Sequence, residues 1–363
     1  MFSEFSLIRL SSISLDGLRD LFDPLFIFSH SELTVNNLFL SNIQCFVFSF
    51  NSSLASITEI TLQNSSISTA VFLYYSDLVI TNSLFLSIEA HIFAIVEQNS
   101  VMITEHSKFS SMNANFLFTV ADATLSIQSM CFKNISLHSF LILNTSSTSL
   151  LNNSFIEFES SQSLINAWKS NVTINLIALN KVEFGNFAVL NRSDFKLDNS
   201  CLDFTVMSLQ SFLIGHESTV LLRNSTFNGI SSFRNDPLIN LSNSIFNGDY
   251  LSFKVLNCSL FKFVSTIVHL LNCSFGFINS SYIAKFVDSY LTLSSSLFSN
   301  VVIGTDLPMI SFVNSSSTIS NVMFTSLTAS SLFEGNSTDV VFNLSTFLIL
   351  IHIFFFFLIL VLV

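Results

Sequence analysis

Glycine and proline are scarce in this chain of 363 residues, at 8 and 3 respectively. Both fall far below ordinary usage, so other residues must make the turns, and no glycine-rich phosphate loop is present. Charge is thin as well. Charged residues make up 10% of the chain against 50% hydrophobic ones, the reverse of a disordered composition. With 13 Lys and Arg against 24 Asp and Glu, the formal charge is −11, so no basic patch is offered to phosphates and nucleic acid is excluded as a partner.

Five cysteines, Cys45, Cys131, Cys201, Cys258 and Cys273, are too few to build a disulfide scaffold, and burial of apolar surface must hold the fold. Only Cys258 and Cys273 look related. Both stand in an Asn-Cys-Ser triplet, 15 residues apart, and equivalent positions on neighbouring turns of a repeat would lie within disulfide reach. The seven histidines keep no metal-ligand spacing among themselves or with cysteine. Neither a metal nor a cofactor is expected.

What the chain has in abundance is serine, threonine, asparagine and 43 phenylalanines, arranged with a period. A short alternating apolar segment is followed by Asn-Ser-x-Phe or a close variant, as in Leu78–Phe85, Val220–Phe227 and Val268–Phe275. Taking the closing apolar residue as marker gives Phe39, Ile67, Phe85, Phe109, Phe132, Phe155, Leu179, Leu202, Phe227, Phe246, Phe275, Phe298 and Phe324. From Phe85 to Phe227 the steps are 24, 23, 23, 24, 23 and 25. Regularity of that kind marks a repeat architecture. Between Phe227 and Phe298 it weakens, and an irregular coil or protruding loop is expected there.

Each repeat carries a second apolar segment ahead of the first, for example Phe116–Val120, Phe140–Leu143 and Met309–Val313. Both segments are short, β-branched or aromatic, and flanked by Ser, Thr and Asn, which is the pattern of strands. Nothing in a repeat spaces apolar residues for a helix. The chain therefore reads as all-β, a single-stranded parallel β-helix solenoid of about thirteen coils of roughly 24 residues, stacked about 4.8 Å apart. Phe109, Phe132 and Phe155 should stack inside, and Asn199 and Asn224 should join an asparagine ladder at a corner. A leucine-rich repeat has a similar period, but its consensus asparagine falls one residue off the position seen here.

These coils resemble the right-handed β-helix of pectin-lyase-like proteins, especially repeat-rich surface proteins of protists and the polymorphic membrane proteins of chlamydiae. The likeness covers roughly residues 10 to 335. Phe39-Leu-Ser-Asn42 matches the chlamydial Phe-x-x-Asn signature, whereas the companion Gly-Gly-Ala-Ile motif is missing. The resemblance implies a right-handed coil and a place at the cell surface.

At the carboxyl end, Phe347 to Val363 form an apolar run of 17 residues broken only by His352, with no Lys or Arg after Lys285. The length approaches that of a membrane span. Asn336-Ser337-Thr338, a spacer and the tail also fit the outline of a glycolipid-attachment signal, with Asn336 as attachment site. Both readings stay open, and both make the segment a membrane anchor, expected as a hydrophobic helix. The domain plan is thus a β-helix over 1–335, a spacer over 336–346 and the anchor over 347–363. The amino terminus lacks a basic start and a continuous apolar stretch, as a truncated chain or misassigned start would. Fifteen Asn-x-Ser/Thr sequons occur, among them Asn51, Asn64, Asn134, Asn171, Asn224 and Asn314, as expected of a glycoprotein, although the repeat itself inflates the number.

The densest charge lies between 181 and 223: Lys181, Glu183, Arg192, Asp194, Lys196, Asp198, Asp203, His216, Glu217 and Arg223. Asp198 and Arg223 each follow an inward leucine and are expected to pair as a surface ion pair of roughly 0–1 kcal/mol. Gly215-His216 is half of the Gly-His-Gly of pectin-degrading hydrolases, with Glu217 in third place, and their Asp-Asp and Arg-Ile-Lys motifs are absent. The residues favour a non-enzymatic, membrane-anchored protein on the extracellular face of the plasma membrane, adhesive or structural, meeting glycans or other surface proteins. The alternative is a carbohydrate-active enzyme, a polysaccharide lyase or glycoside hydrolase, using the 181–223 band.

Overall fold

Alternation of apolar and polar residues sends successive side chains to opposite faces of a strand. Lys108–Ala121 is one such strand: Phe109, Met112, Ala114, Phe118 and Val120 are buried while Lys108, Ser111 and Asn113 face outward. The computed structural model describes residues 6–21, 24–203, 211–229, 236–304, 307–343 and 346–348. Among them every regular element is a strand, and strand pairings between successive coils are parallel. The fold is an all-β parallel β-solenoid of about 14 turns, as the period implies. Contacts divide it into two compact units, Met1–Leu202 and Asp203–Val363.

In the first unit Phe85, Phe109, Phe132, Phe155, Leu179 and Leu202 are register partners on successive coils. Their rings stack at 4.5, 5.3 and 4.8 Å. Phe93, Phe118 and Phe140 meet this column edge-on. Burial of each ring is worth about 2 kcal/mol, and edge-to-face packing adds to it. Two early markers need correction: Leu40 and Leu62, rather than Phe39 and Ile67, lead into Phe85.

In the second unit the column runs Phe227, Phe253, Phe275, Phe298, Phe324. Phe246 stacks elsewhere, between Val220 and Val268. With Phe253 in its place the steps from Phe227 to Phe298 become 26, 22 and 23, still uneven but closer to the period; residues 230–235 of this stretch lie outside the described residues.

Corners replace glycine with strain-tolerant residues. Each coil turns three times through a left-handed residue; in one coil these are Asp122, Ser129 and Asn134, at φ 50, 52 and 53. Such a conformation costs an ordinary residue roughly 1–2 kcal/mol and asparagine less, which explains Asn82, Asn199, Asn224, Asn272 and Asn314 at corners.

The residue after the corner points inward, and in the repeat it is serine. Ser76 donates its N–H to Ser100 Oγ at 3.0 Å, while its own hydroxyl donates to the Tyr74 carbonyl at 2.8 Å. Ser53, Ser146 and Ser170 do the same. Buried backbone groups must find partners, and this serine ladder supplies them. It replaces the expected asparagine ladder, which is reduced to local contacts such as Asn199 Nδ2 to Asn175 Oδ1 at 3.1 Å.

The stretch set apart as a spacer continues the coils. Asp339–Asn343 pairs with Ser316–Ser320, and Thr346–Leu348 pairs with Met323 to Thr325. The rest of the expected terminal helix, 349–363, lies outside the described residues. No helix among the described residues is long and apolar enough to cross a membrane.

Candidate functional site

Where the third corner of the first unit recurs on neighbouring coils, its side chains and the next outward column face each other. Ser87, Ser111, Asn134 and Glu157 form the corner side, and Glu89, Asn113, Ser136 and Glu159 the opposite side of a groove of about 520 Å³. The register sets this column: Glu89 pairs with Asn113, Asn113 with Ser136, Ser136 with Glu159 and Glu159 with Glu183. Glu89, Glu157, Glu159 and Glu183 are exposed, and none of the described lining residues of the groove is Lys or Arg.

Two residues further along the strands runs a column of imidazoles, amide and hydroxyl. Asn115 Nδ2 lies 2.7 Å from His91 Nδ1, and His138 Nδ1 lies 2.6 Å from Ser161 Oγ. An amide nitrogen only donates, so in that orientation His91 Nδ1 accepts and its ring proton sits on Nε2. The face thus combines stacked carboxylates with two exposed histidines, the groups of general acid and base chemistry.

The charged band expected between 181 and 223 falls across both units. Glu183 extends the groove's carboxylate column. Lys196 reaches Asp198 at 3.6 Å, and Asp198 Oδ1 is buried without a hydrogen-bond partner among the described residues. His216 meets Ser242 Oγ at 2.9 Å through Nδ1 and Glu217 at 3.4 Å through Nε2. Arg192 and Glu217 are left-handed corner residues, and Asp194 is exposed at a strand start. Asp198 falls in the first unit and Arg223 in the second. The side chains of Lys181 and Asp203 lie outside the described residues. Glu89, Glu157 and Glu159 were missed by sequence reasoning, yet a signal existed: positions 89, 113, 136, 159 and 183 repeat at steps of 24, 23, 23 and 24.

The disulfide is corrected. Cys258 and Cys273 are buried free thiols, and their triplets are not equivalent positions. Cys273 follows the corner Asn272 and takes the serine place, its N–H donating to Ser296 Oγ at 3.1 Å. Cys258 follows a different corner, two residues beyond Leu256, the register partner of Ile278. Burial pushes both thiols up, Cys258 to about 12 and Cys273 to about 11. Among the described residues no group of His, Cys, Asp and Glu could hold a metal. The sequon residues Asn51, Asn64, Asn134, Asn171, Asn224 and Asn314 are all exposed, as is Asn336.

No family model matches the chain, and no curated protein matches it. Among solved structures it is similar to the A-module of a mannuronan C-5 epimerase of Azotobacter vinelandii, with 8% identity, a TM-score of 0.29, and 87% of this chain and 90% of that one covered. It is similar also to the catalytic domain of Agl-KA, with 10% identity, a TM-score of 0.29 and coverage of 86% and 62%. A third is the PL6 family alginate lyase AlyGC, with 7% identity, a TM-score of 0.21 and coverage of 94% and 97%.

The expected likeness to a β-helix holds at the level of a parallel β-solenoid, which this chain's own strand register shows. Against the expectation of a non-enzyme, two of these structures are by their names enzymes, a mannuronan epimerase and an alginate lyase. At these scores the likeness speaks to architecture, and activity has to be argued from the groove.

Proposed function

We propose that the chain is a carbohydrate-active β-solenoid, a glycoside hydrolase of an extended neutral polysaccharide, with Glu159 and Glu183 as its carboxyl pair. The observation that carries this is their register: the two face outward on adjacent coils, continuing one of the two polar columns that line the groove. Adjacent backbones lie about 4.8 Å apart. Glutamate side chains can then place their carboxyls about 5–9.5 Å apart, the range used by retaining and inverting hydrolases.

One carboxyl donates a proton to the departing glycosidic oxygen. The other either attacks the anomeric carbon, forming a glycosyl ester that water then cleaves with the first carboxylate as base, or takes a proton from the water that attacks that carbon directly. The groove's hydroxyls and amides, Ser111, Asn113 and Ser136, hydrogen-bond sugar hydroxyls along several coils. A polyuronate would bring its own negative charge against Glu89 and Glu159, which favours a neutral chain and a hydrolase over a lyase.

The test is release of reducing ends by the full chain from soluble β-glucan, xylan and polygalacturonate. Hydrolysis of a neutral polymer is expected, with Glu159→Gln and Glu183→Gln each lowering kcat about 10²–10⁴-fold at unchanged far-UV circular dichroism. Undiminished activity in both variants, or no cleavage of any neutral polymer, refutes the reading.

We propose further that the enzyme works at the outer face of the plasma membrane. The apolar run 347–363 supports this, either as a span or as a glycolipid signal used at Asn336. Exposure of Asn51, Asn64, Asn171, Asn224 and Asn314 supports N-linked glycans there. Asn134 stands in the groove wall, where a glycan would obstruct it, so it stays unmodified in this reading. The likeness of Phe39-Leu-Ser-Asn42 to surface-protein repeats agrees with that location. Release of a leader-fused chain from cells by a glycolipid-specific phospholipase distinguishes the two anchors; a chain secreted without any membrane association refutes both.

A further inference from the structure

The second unit carries a groove of its own, about 410 Å³, crossing four coils. Its floor is the serine ladder: Thr266 N–H donates to Ser289 Oγ and Ser289 N–H to Ser315 Oγ, both at 3.1 Å. Those backbone donors are spent, so recognition falls to the outward side chains.

Tyr290 is the one aromatic residue among them. The hydroxyls of Thr318 and Thr292 near its phenol hold its pKa below the usual value. Thr292 lies two residues ahead on the same strand, and Thr318 is the register partner of Thr292 on the next coil. The His269 ring meets it edge-on at 6.5 Å and 67°. Tyr290 remains 41% exposed, so the ring is open to a ligand while His269 restrains it, and less side-chain entropy is lost when a ligand packs against it.

Polar groups flank the ring. Ser316 pairs with Tyr290 on the next coil and Asp339 with Ser316 on the one after, while Asp288 and Asn314 are exposed left-handed corner residues of the same groove. No Lys or Arg is among its described lining residues. Asp288 and Asp339 belong to coils two steps apart, about 10 Å of stacking, too far for both to bind one small cation. Spaced carboxylates and amides beside a restrained aromatic face suit a ligand with hydroxyls on its rim and polarised C–H groups on its face, extended across several coils.

We propose that this groove is a second glycan-binding site, taking a neutral oligosaccharide with one pyranose ring stacked on Tyr290 and hydroxyls donated to the Asp288 carboxylate and the Asn314 amide oxygen. The inference rests on the carbohydrate reading of the protein but not on its catalytic residues. Its role is to hold polymer to the chain through a site that has no carboxyl pair on adjacent coils.

The experiment is isothermal titration of the full chain carrying Glu159→Gln, which removes one proposed catalytic carboxyl, with cellohexaose, xylohexaose, laminarihexaose and hexagalacturonate. Binding of at least one neutral hexasaccharide and none of the hexagalacturonate is expected. Adding Tyr290→Ala should weaken that binding at least tenfold. Thr318→Val, which removes a hydroxyl near the phenol but keeps the ring, should weaken it less. Trp168→Ala, at an exposed aromatic residue of the first unit, should leave it unchanged. Equal affinity with and without the Tyr290 ring, or no binding of any neutral hexasaccharide, overturns the inference. Either result leaves the reducing-end assay of the unsubstituted chain to judge the hydrolase reading separately.

Discussion

Two buried hydroxyls of the first unit should respond to deletion with opposite signs. Thr148 sits in an apolar column between Leu125 and Val172. It is 2% exposed, and its Oγ1 has no hydrogen-bond partner among the described residues. A buried hydroxyl left unpaired costs about 1–3 kcal/mol. Valine has the same shape without the oxygen, so Thr148→Val should stabilise the chain by about 1–2 kcal/mol.

Ser170 is just as buried but occupies the ladder. It accepts the Ser146 N–H at 3.1 Å and donates to the Trp168 carbonyl at 2.7 Å. Ser170→Ala leaves that N–H without a partner and should cost about 1–3 kcal/mol. Urea unfolding followed by far-UV circular dichroism measures both, with the exposed Thr173→Val as a reference expected within about 0.5 kcal/mol of the parent. Midpoints are to be compared at equal slope, because solenoid coils can unfold in parts. If Thr148→Val destabilises the chain, or Ser170→Ala is neutral, the account of how the buried hydroxyls are satisfied is wrong.

A methyl group on Gly185 would press into the Gln162 carbonyl, closer than van der Waals contact; Gly185→Ala should therefore lower the urea midpoint by the equivalent of about 2 kcal/mol or more. Leu176 is a left-handed corner residue at φ 57, half exposed, and Leu176→Gly should raise the melting temperature modestly as up to about 1 kcal/mol of strain is relieved. Burial raises the thiols of Cys258 and Cys273, to about 12 and about 11, so above the ordinary thiol pKa the unfolded chain loses protons that the folded chain keeps. Stability should then fall as pH rises from 9 towards 11, by up to about 1.4 kcal/mol per pH unit for each thiol, and Cys273→Ser should flatten that fall in thermal melts at pH 8 and 10.5.

Much of this architecture could be read before any coordinates. The column Phe85, Phe109, Phe132, Phe155 is visible because stacked coils demand the same apolar residue at the same phase, and the period survives wherever coil length is constant. Reading failed at Phe39 and Phe246 for different reasons: Phe246 points inward but belongs to the column of Val220 and Val268, whereas Phe39 stands beside the inward Leu40. Each left-handed corner spends two outward residues in succession, as at Asn36 and Asn37, which resets the alternation, so an apolar residue beside the inward one can be mistaken for it. The Asn-Ser pair was likewise visible, with its roles exchanged: asparagine tolerates the corner geometry, and the serine after it fills the ladder.

From composition and period alone followed the strand content, the parallel stacking and the aromatic interior, because these depend on residues repeating at one spacing. Register on the outer surface was another matter. Which carboxylates share a column, which cysteines occupy different corners and where a tyrosine ring meets a histidine all depend on coil lengths that vary by a residue or two. Small offsets of that kind leave the interior nearly unchanged and move every exterior neighbour, so the grooves emerged only once the coils were stacked.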